Sequence, residues 1–211
     1  MHIPGPEIRY SDASLIIANK PAGLLAVPGR GADKQDCLSV RVQQAFSDAL
    51  IVHRLDMATS GLMVFARGAE IQRRLSQMFR ERLIAKRYVA IVMGKLTPEI
   101  GEVNLPILAD WPNRPLRKID VVSGKHSLTR YRFLAHDVVT NTSRLELEPV
   151  TGRTHQLRVH MAAIGHPILG DQLYGGAASV SAERLLLHAG ELRFLHPFSG
   201  DTVGWICEPQ F

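Results

Sequence analysis

A polar segment between two apolar runs limits the folds that this chain can adopt. Residues 50–52 and 62–66 are apolar, and residues 53–61 between them carry charged and turn-forming side chains. Short apolar runs bounded by turn signals predict buried strands. Asp56 lies between these strands, and an ionised carboxylate near a protein interior needs a cation as its partner. The residues alone leave open whether Asp56 only ties a turn together or serves chemistry.

Hydrophobic periodicity over the rest of the chain predicts an α+β fold, with a mixed, mainly antiparallel central sheet and flanking helices and loops. Alternating polar and apolar residues at 129–135 and 143–148 predict an antiparallel hairpin. The prolines within residues 105–118 predict a loop. Because no linker divides the chain, we expect a single domain over residues 1–211. Further strands are predicted at 14–19, at 86–92 and in the tail after 185. Helices are predicted at 37–45, at 69–82 and after Thr154. The helix at 69–82 is expected to have a basic outer face, and Thr154 is the expected N-cap of the last helix.

The composition is that of a globular protein with a basic surface. The 211 residues are 45% hydrophobic and 21% charged, and 25 Lys and Arg exceed 20 Asp and Glu, which favours a polyanionic partner. Cys37 and Cys207 fit no disulfide framework or metal motif, as is typical of a reducing cytosol. The chain start carries no signal-peptide pattern, and no apolar run approaches the length of a membrane span. We therefore expect a cytoplasmic protein that does not associate with membranes.

Several motifs resemble those of the RluA-type pseudouridine synthases. His53-Arg54-Leu55-Asp56 followed by Thr59-Ser60-Gly61-Leu62 is the most specific, and Gly152-Arg153-Thr154-His155-Gln156-Leu157-Arg158-Val159-His160 is the second. The third is Tyr88 within Lys86-Arg87-Tyr88, and residues 19–24 and 165–171 are also similar to the family. The likeness runs from about Asn19 to Tyr174. It implies the pseudouridine synthase catalytic fold, and we expect no N-terminal S4 domain.

The resemblance implies a role for each motif residue. Asp56 is implied to be catalytic in its ionised form, either as a nucleophile at C1′ or as a base at C2′. Arg158 is the cation expected to keep Asp56 ionised, and Tyr88 is expected to stack on the base and to take the C5 proton. Arg54 is expected to fill the gap left by an extruded uridine. The remaining implied substrate-binding residues are His53, Thr59, Arg153 and His155.

The implied reaction sets the expected ligands. Moving the base from N1 to C5 needs no cofactor, and the histidines lack the spacing of a metal motif, so neither a cofactor nor a metal is expected. RNA is the expected partner. The resemblance implies a uridine in a 23S rRNA stem-loop and one in a tRNA anticodon stem-loop as targets. We expect the protein to be a monomer.

Two other functions stay open on the residues alone. A non-catalytic RNA-binding protein would account for the charge. A glycosidase or nucleosidase could use Asp56, although such enzymes usually place two carboxylates around the bond and only one stands out here.

Overall fold

The computed structural model describes residues 5–211 and confirms the predicted α+β class, with a central, mainly antiparallel sheet and three α-helices. The described residues form two compact units, 5–86 with Ala189–Gln210, and Arg87–His188 with Phe211. The assignment of residues 1–211 to a single domain stays a prediction. The elements are β1 (Glu7–Ser11), β2 (Leu15–Lys20), α1 (Leu38–Ala45), β3 (Ala49–Ile51), β4 (Ser60–Arg67), α2 (Ala69–Arg80), β5 (Ala85–Met93), β6 (Ile100–Asn104), β7 (Ile107–Ala109), β8 (Arg117–Ile119), β9 (Leu128–Asp137), β10 (Thr142–Pro149), α3 (Gln156–Ala163), β11 (Leu187–Leu195) and β12 (Thr202–Ile206), with 3-10 turns at Ala32–Lys34 and Gly176–Val180.

The first unit is built on β4, whose residues are buried except for its last, Arg67. β4 pairs antiparallel with β2 on one side and with β3 on the other, and β1 extends the sheet beyond β2. The two apolar runs around Asp56 are therefore β3 and β4, as predicted. A strand that is covered on both faces has a continuous run of apolar residues in its sequence. For this reason these strands could be predicted from the sequence.

Helix α2 covers this sheet with one face, as its periodicity predicts. Leu75 is fully buried in the core of the unit, where Ile71, Met78 and Phe79 pack beside it. Arg73, Arg74 and Arg80 are exposed on the opposite side. A single apolar stripe facing a sheet is the usual reason for this spacing. The predicted basic outer face is confirmed.

Gly61 has a φ of +118°, and a Cβ added there would overlap the backbone O and N of Ala189. Gly61→Ala is therefore expected to lower the free energy of unfolding by about 2–4 kcal/mol, through overpacking and backbone strain together. Gly23 is a matched control, because its φ is +85° but nothing lies within 4 Å of an added Cβ. Gly23→Ala is expected to cost only the strain, about 1–2 kcal/mol, in urea unfolding. Equal losses for the two variants would contradict the proposed backbone overlap at Gly61.

The second unit contains the predicted hairpin. β9 pairs antiparallel with β10, which pairs with β5 on its other side, and β6 pairs with β9. Leu145 and Leu147 of β10 are fully buried, whereas Arg144, Glu146 and Glu148, which alternate with them, are only partly covered. This alternation matches a sheet with one buried face, so the hairpin prediction is confirmed.

Two predictions for the second unit are wrong. Residues 105–118 are not all loop, since β7 and β8 pair there as a short antiparallel hairpin; the prolines at 112 and 115 lie between its strands, where they disturb no ladder. Helix α3 begins at Gln156, and its N-cap is His155 in the left-handed conformation rather than Thr154. The helix is buried at every position from 156 to 161. No helix within residues 5–211 has the length and apolar character that crossing a bilayer requires.

Candidate active site

The turn between β3 and β4 presents Asp56 in the first unit. The Thr59 N–H donates to the Asp56 carbonyl at 3.1 Å and closes the turn. Leu55 is 5% exposed and anchors the segment in the core, while Asp56 is half-buried and Arg54 is exposed. Leu55 therefore lies in the core, Asp56 at the boundary with solvent, and Arg54 in solvent. This arrangement gives a carboxylate on a fixed turn and an exposed guanidinium two residues before it.

A buried lysine fixes this turn to the preceding loop. Lys20 is fully buried, and its Nζ donates to the carbonyls of Pro21 at 2.9 Å, Leu24 at 2.7 Å and Met57 at 2.9 Å. The Gly23 N–H also donates to the Met57 carbonyl at 2.9 Å. Met57 follows Asp56 directly, so these bonds hold the backbone of the carboxylate-bearing turn. Lys20 was not among the predicted site residues.

The charge of Lys20 depends on two opposing effects. Burial lowers the pKa of Lys20 from its ordinary value to about 7, while the nearby Asp56 carboxylate acts to raise that pKa. Three carbonyl acceptors also match the three N–H bonds of an ammonium, whereas a neutral amine has only two. Below about pH 7, Lys20 is therefore a cation close to the carboxylate of Asp56 within the same unit.

The lowered pKa predicts how stability depends on pH. Above about pH 7, Lys20 is neutral in the folded chain, whereas in the unfolded chain it stays protonated up to about pH 10.5. Unfolding in this range therefore takes up a proton. Because protons become scarcer as the pH rises, unfolding becomes less favourable. The free energy of unfolding of the wild type, relative to Lys20→Met, is expected to increase by about 1.4 kcal/mol per pH unit between these values. Urea unfolding at a series of pH values from neutral to alkaline measures this difference.

Lys34→Met is the control for this prediction, because Lys34 is an exposed lysine in the same unit. Its stability difference from the wild type is expected to stay flat with pH. A flat difference for Lys20→Met as well would mean that Lys20 remains protonated in the folded chain across the range.

His53 and Thr59, both predicted substrate contacts, make internal contacts in this unit. The Val64 N–H donates to Nε2 of His53 at 2.9 Å, and the imidazole stacks on Phe79 with ring centroids 4.5 Å apart. Burial, and then the charge of Lys86, lower the pKa of His53 to about 3, so the ring is neutral. Thr59 is 3% exposed. Both residues shape the turn; their contact with substrate stays a prediction.

In the second unit, a buried ion pair holds Arg158 on α3. Its Nε and Nη2 donate to the two carboxylate oxygens of Asp171 at 2.8 and 2.7 Å, and the side chains are 5% and 1% exposed. Asp171 also accepts the N–H groups of Leu173 and Tyr174 at 2.9 and 3.1 Å. Burial alone would raise the pKa of Asp171, but Arg158 and these two N–H groups lower it below its ordinary value. The guanidinium is therefore fixed in plane and orientation.

Two polar side chains attach α3 to the sheet. Nε2 of Gln156 donates to the Leu128 carbonyl at 2.9 Å, and its Oε1 accepts from the Thr151 hydroxyl at 2.6 Å. His160 contacts the Thr129 hydroxyl at 2.9 Å through Nδ1 and the Leu105 carbonyl at 2.9 Å through Nε2. Buried polar groups need such partners, and here those partners set the position of Arg158 between them.

Tyr174 links α3 to the β7–β8 hairpin. Its hydroxyl accepts the Arg117 N–H at 2.9 Å and lies 2.7 Å from Nδ1 of His155. Its ring centroid is 5.2 Å from Cζ of Arg158. Arg153, in contrast, is exposed and donates to the His126 carbonyl at 3.2 Å. Of the two predicted contacts beside α3, His155 belongs to the network around Arg158, and Arg153 lies at the surface.

The predicted site residues therefore fall into two groups. The turn before β4 brings together His53, Arg54, Asp56 and Thr59 in the first unit. Tyr88 lies half-buried on β5, opposite Leu147 of β10, and belongs with Arg153, His155 and Arg158 to the second unit. The pairing of Asp56 with Arg158, and the position of Tyr88 at the base, stay predictions. Within residues 5–211, no three His, Cys, Asp or Glu side chains are grouped in a way that could hold a metal.

Three residues with clear structural roles were missed by the sequence reasoning: Lys20, Asp171 and Tyr174. Asp171 and Tyr174 follow α3 within a Gly-Asp-Gln-Leu-Tyr-Gly string whose similarity to the family was noted without a role. Arg158 lies within an otherwise mainly apolar helix, and Asp171 follows that helix in the chain. An arginine in such a helix needs a buried counter-charge, and this could have indicated the pair.

Comparison with known proteins identifies the family. The RNA pseudouridylate synthase family model matches residues 14–163. Dual-specificity RNA pseudouridine synthase RluA of Haemophilus influenzae is 47% identical over 99% of this chain and 95% of its own length. The protein of the same name from Escherichia coli K12 is 47% identical over 97% and 93%.

Solved structures agree with the sequence relatives. Human RNA pseudouridylate synthase domain containing 1 matches with a TM-score of 0.81 and 28% identity, covering all of this chain and 87% of the human one. Human RNA pseudouridylate synthase domain containing 4 matches with a TM-score of 0.76 and 25% identity, covering 97% and 89%. The chain therefore belongs to the RNA pseudouridylate synthase family, isomerases that convert uridine in RNA to pseudouridine.

Proposed function

We propose that Asp56 is the catalytic carboxylate and that Arg158 keeps it ionised. The observation that carries this assignment is the fixed turn: Lys20 and Gly23 bind the backbone at Met57, next to Asp56. Holding a reactive group in one geometry is a major source of catalytic rate. Arg158 supports the assignment from its side, because Asp171 already fixes the plane of its guanidinium.

In the proposed reaction the bond from C1′ to N1 of the uridine breaks, the base turns, and a bond from C1′ to C5 forms. The proton on C5 is lost to solvent and N1 gains a proton, so nothing is oxidised and no water is consumed. Asp56 either attacks C1′ as a nucleophile, forming an ester that breaks when C5 bonds to C1′, or removes the C2′ proton to give a glycal and returns that proton when C5 bonds to C1′. Tyr88 stacks on the base and takes the C5 proton. No cofactor is needed for these steps.

Arg54 is proposed to replace the extruded uridine in its stack. Bases inside a stem or a stacked loop must leave the stack before an enzyme can reach the glycosidic bond. Arg54 is exposed next to the anchored Leu55, which fits a side chain that enters RNA from a rigid base. His53, Thr59, Arg153 and His155 are proposed to line or support the same RNA-binding surface.

The proposed targets are a uridine in a stem-loop of 23S rRNA and one in a tRNA anticodon stem-loop. The names of the relatives, dual-specificity RNA pseudouridine synthase, support more than one RNA target. We also propose that the protein acts as a monomer in the cytoplasm, without contact with membranes. Mapping pseudouridine in RNA from cells that lack the protein tests the targets.

Product analysis tests the reaction itself. RNA tritiated at C5 of uridine is incubated with the protein, and tritium in water and free uracil are both measured. The proposal expects tritium release without free uracil. Free uracil would instead indicate a glycosidase or nucleosidase, and stoichiometric binding with neither product would indicate an RNA-binding protein without catalysis.

A further inference from the structure

The tip of the β7–β8 hairpin carries a tryptophan to which the proposed reaction assigns no role. Trp111 is 65% exposed, and Cζ of Arg114 lies 3.4 Å from the centroid of its ring. At this distance the guanidinium stacks on the aromatic face. Because Arg114 covers one face of the indole, the exposed area belongs to the opposite face and to the ring edge.

Hydrogen bonds within the tip hold this pair in place. The Asp110 N–H donates to the Leu116 carbonyl at 3.1 Å, and the Leu116 N–H donates to the Asn113 carbonyl at 3.0 Å. The Asn113 side-chain amide donates to the Asp110 carboxylate at 3.0 Å. A planar ligand therefore meets an indole whose orientation is already set, which reduces the entropy lost on binding.

The chemistry of the tip matches single-stranded RNA. Within residues 5–211, Arg114 forms no ion pair, so its charge is available to a phosphate. The tip residues Pro112, Asn113 and Pro115 are also exposed, so a ligand can reach the indole from solvent. An open aromatic face beside a free cation can stack an unpaired base and contact the adjoining phosphate.

The hairpin is attached to the helix that carries Arg158. The Arg117 N–H on β8 donates to the Tyr174 hydroxyl, which also bonds His155 next to α3. Tyr174 in turn lies over the guanidinium of Arg158. A base held on Trp111 is therefore held at a set distance from Arg158 within the same unit.

We propose that Trp111, backed by Arg114, is a stacking platform for one unpaired base in the loop of the RNA substrate. The platform favours RNA whose loop can release a base without breaking a pair. This proposal deepens the proposed function, on which the choice of RNA as ligand rests, but its test measures binding and not catalysis.

Binding of a fluorescently labelled tRNA anticodon stem-loop, followed by anisotropy, provides the first test. Trp111→Ala is expected to raise Kd by about 5- to 150-fold, the usual range for loss of one stacked base, and Trp111→Phe is expected to restore most of the affinity. Phe198→Ala is the matched control, because Phe198 is a 78% exposed aromatic in the other unit. Its Kd is expected to stay within about twofold of the wild type.

Tryptophan fluorescence provides the second test. The chain has two tryptophans, so in a Trp205→Phe variant the emission comes from Trp111 alone. Quenching on addition of the stem-loop is expected, and much weaker quenching with a stem-loop whose loop nucleotides are abasic. Arg114→Gln is expected to lower the slope of log Kd against log salt by about one, as for the loss of one phosphate contact.

The platform is overturned if Trp111→Ala binds within about twofold of the wild type and Trp111 emission does not respond to the stem-loop. Failure of the proposed function has a different signature. In that case the wild type releases no tritium, while binding and quenching still report whether Trp111 stacks on RNA.

Discussion

Asp56→Asn is expected to abolish release of tritium from RNA labelled at C5 of uridine. An amide of the same shape keeps the turn but can neither attack C1′ nor accept the C2′ proton, so the rate is expected to fall at least about 10⁴-fold. Binding of the stem-loop is expected to persist, because the basic surface and Arg54 are unchanged. Single-turnover tritium release and anisotropy measure the two effects separately.

Asp48→Asn is the control for this variant. Asp48 belongs to the same unit and pairs with Arg67 at 3.0 Å on the surface, where an ion pair contributes little to stability. Its tritium release is expected to match the wild type. Full activity in Asp56→Asn, or equal losses in both variants, would contradict the assignment of Asp56.

The parts of this site that follow from local pattern could be predicted. Strand β4, which follows Asp56, carries apolar residues on both faces, and all of its residues except the last are buried. Helix α2 shows its buried and basic faces in its own spacing. In both cases the information needed to place the element lies within the element, as expected where one face or both are buried.

The parts that depend on partners far apart in the chain could not be predicted. The sequence of residues 105–118 does not predict that β7 and β8 pair. Each strand has only three residues, too few to show an alternation, and the prolines favour a loop. His155 adopts the left-handed conformation, and its ring contacts the hydroxyl of Tyr174, 19 residues later in the chain. Caps and short strands set by such contacts override local preference.

Lys20 and Asp171 show the same limit for charge. Sequence reasoning places lysine and aspartate at the surface, since both are almost never fully buried unless they are paired. Lys20 finds carbonyls at Pro21, Leu24 and Met57, and Asp171 finds Arg158. Folding brings these partners next to the buried charges, and the sequence does not show which residues will meet. The burial of Lys20 and Asp171 could therefore not be predicted from the sequence.

The Arg158–Asp171 pair is expected to give a large, non-additive stability effect. In Asp171→Asn, Oδ1 still accepts the N–H groups of Leu173 and Tyr174, but an amide NH₂ replaces the oxygen that faces Nε of Arg158. The buried guanidinium then loses its counter-charge and meets a donor. A loss of about 3–5 kcal/mol in the free energy of unfolding is expected, measured by urea unfolding.

The double variant Arg158→Met, Asp171→Asn separates the role of the pair in stability from its proposed role in the reaction. Methionine fills the space of the arginine stem without a charge, and the asparagine keeps its two backbone bonds, so the double variant is expected to be more stable than Asp171→Asn alone. It is nevertheless expected to release no tritium, because the guanidinium proposed to hold Asp56 ionised is gone. A double variant that regains stability together with activity would assign Arg158 a purely structural role, and Asp56 would then need another cation, for which Lys20 is the candidate within its own unit.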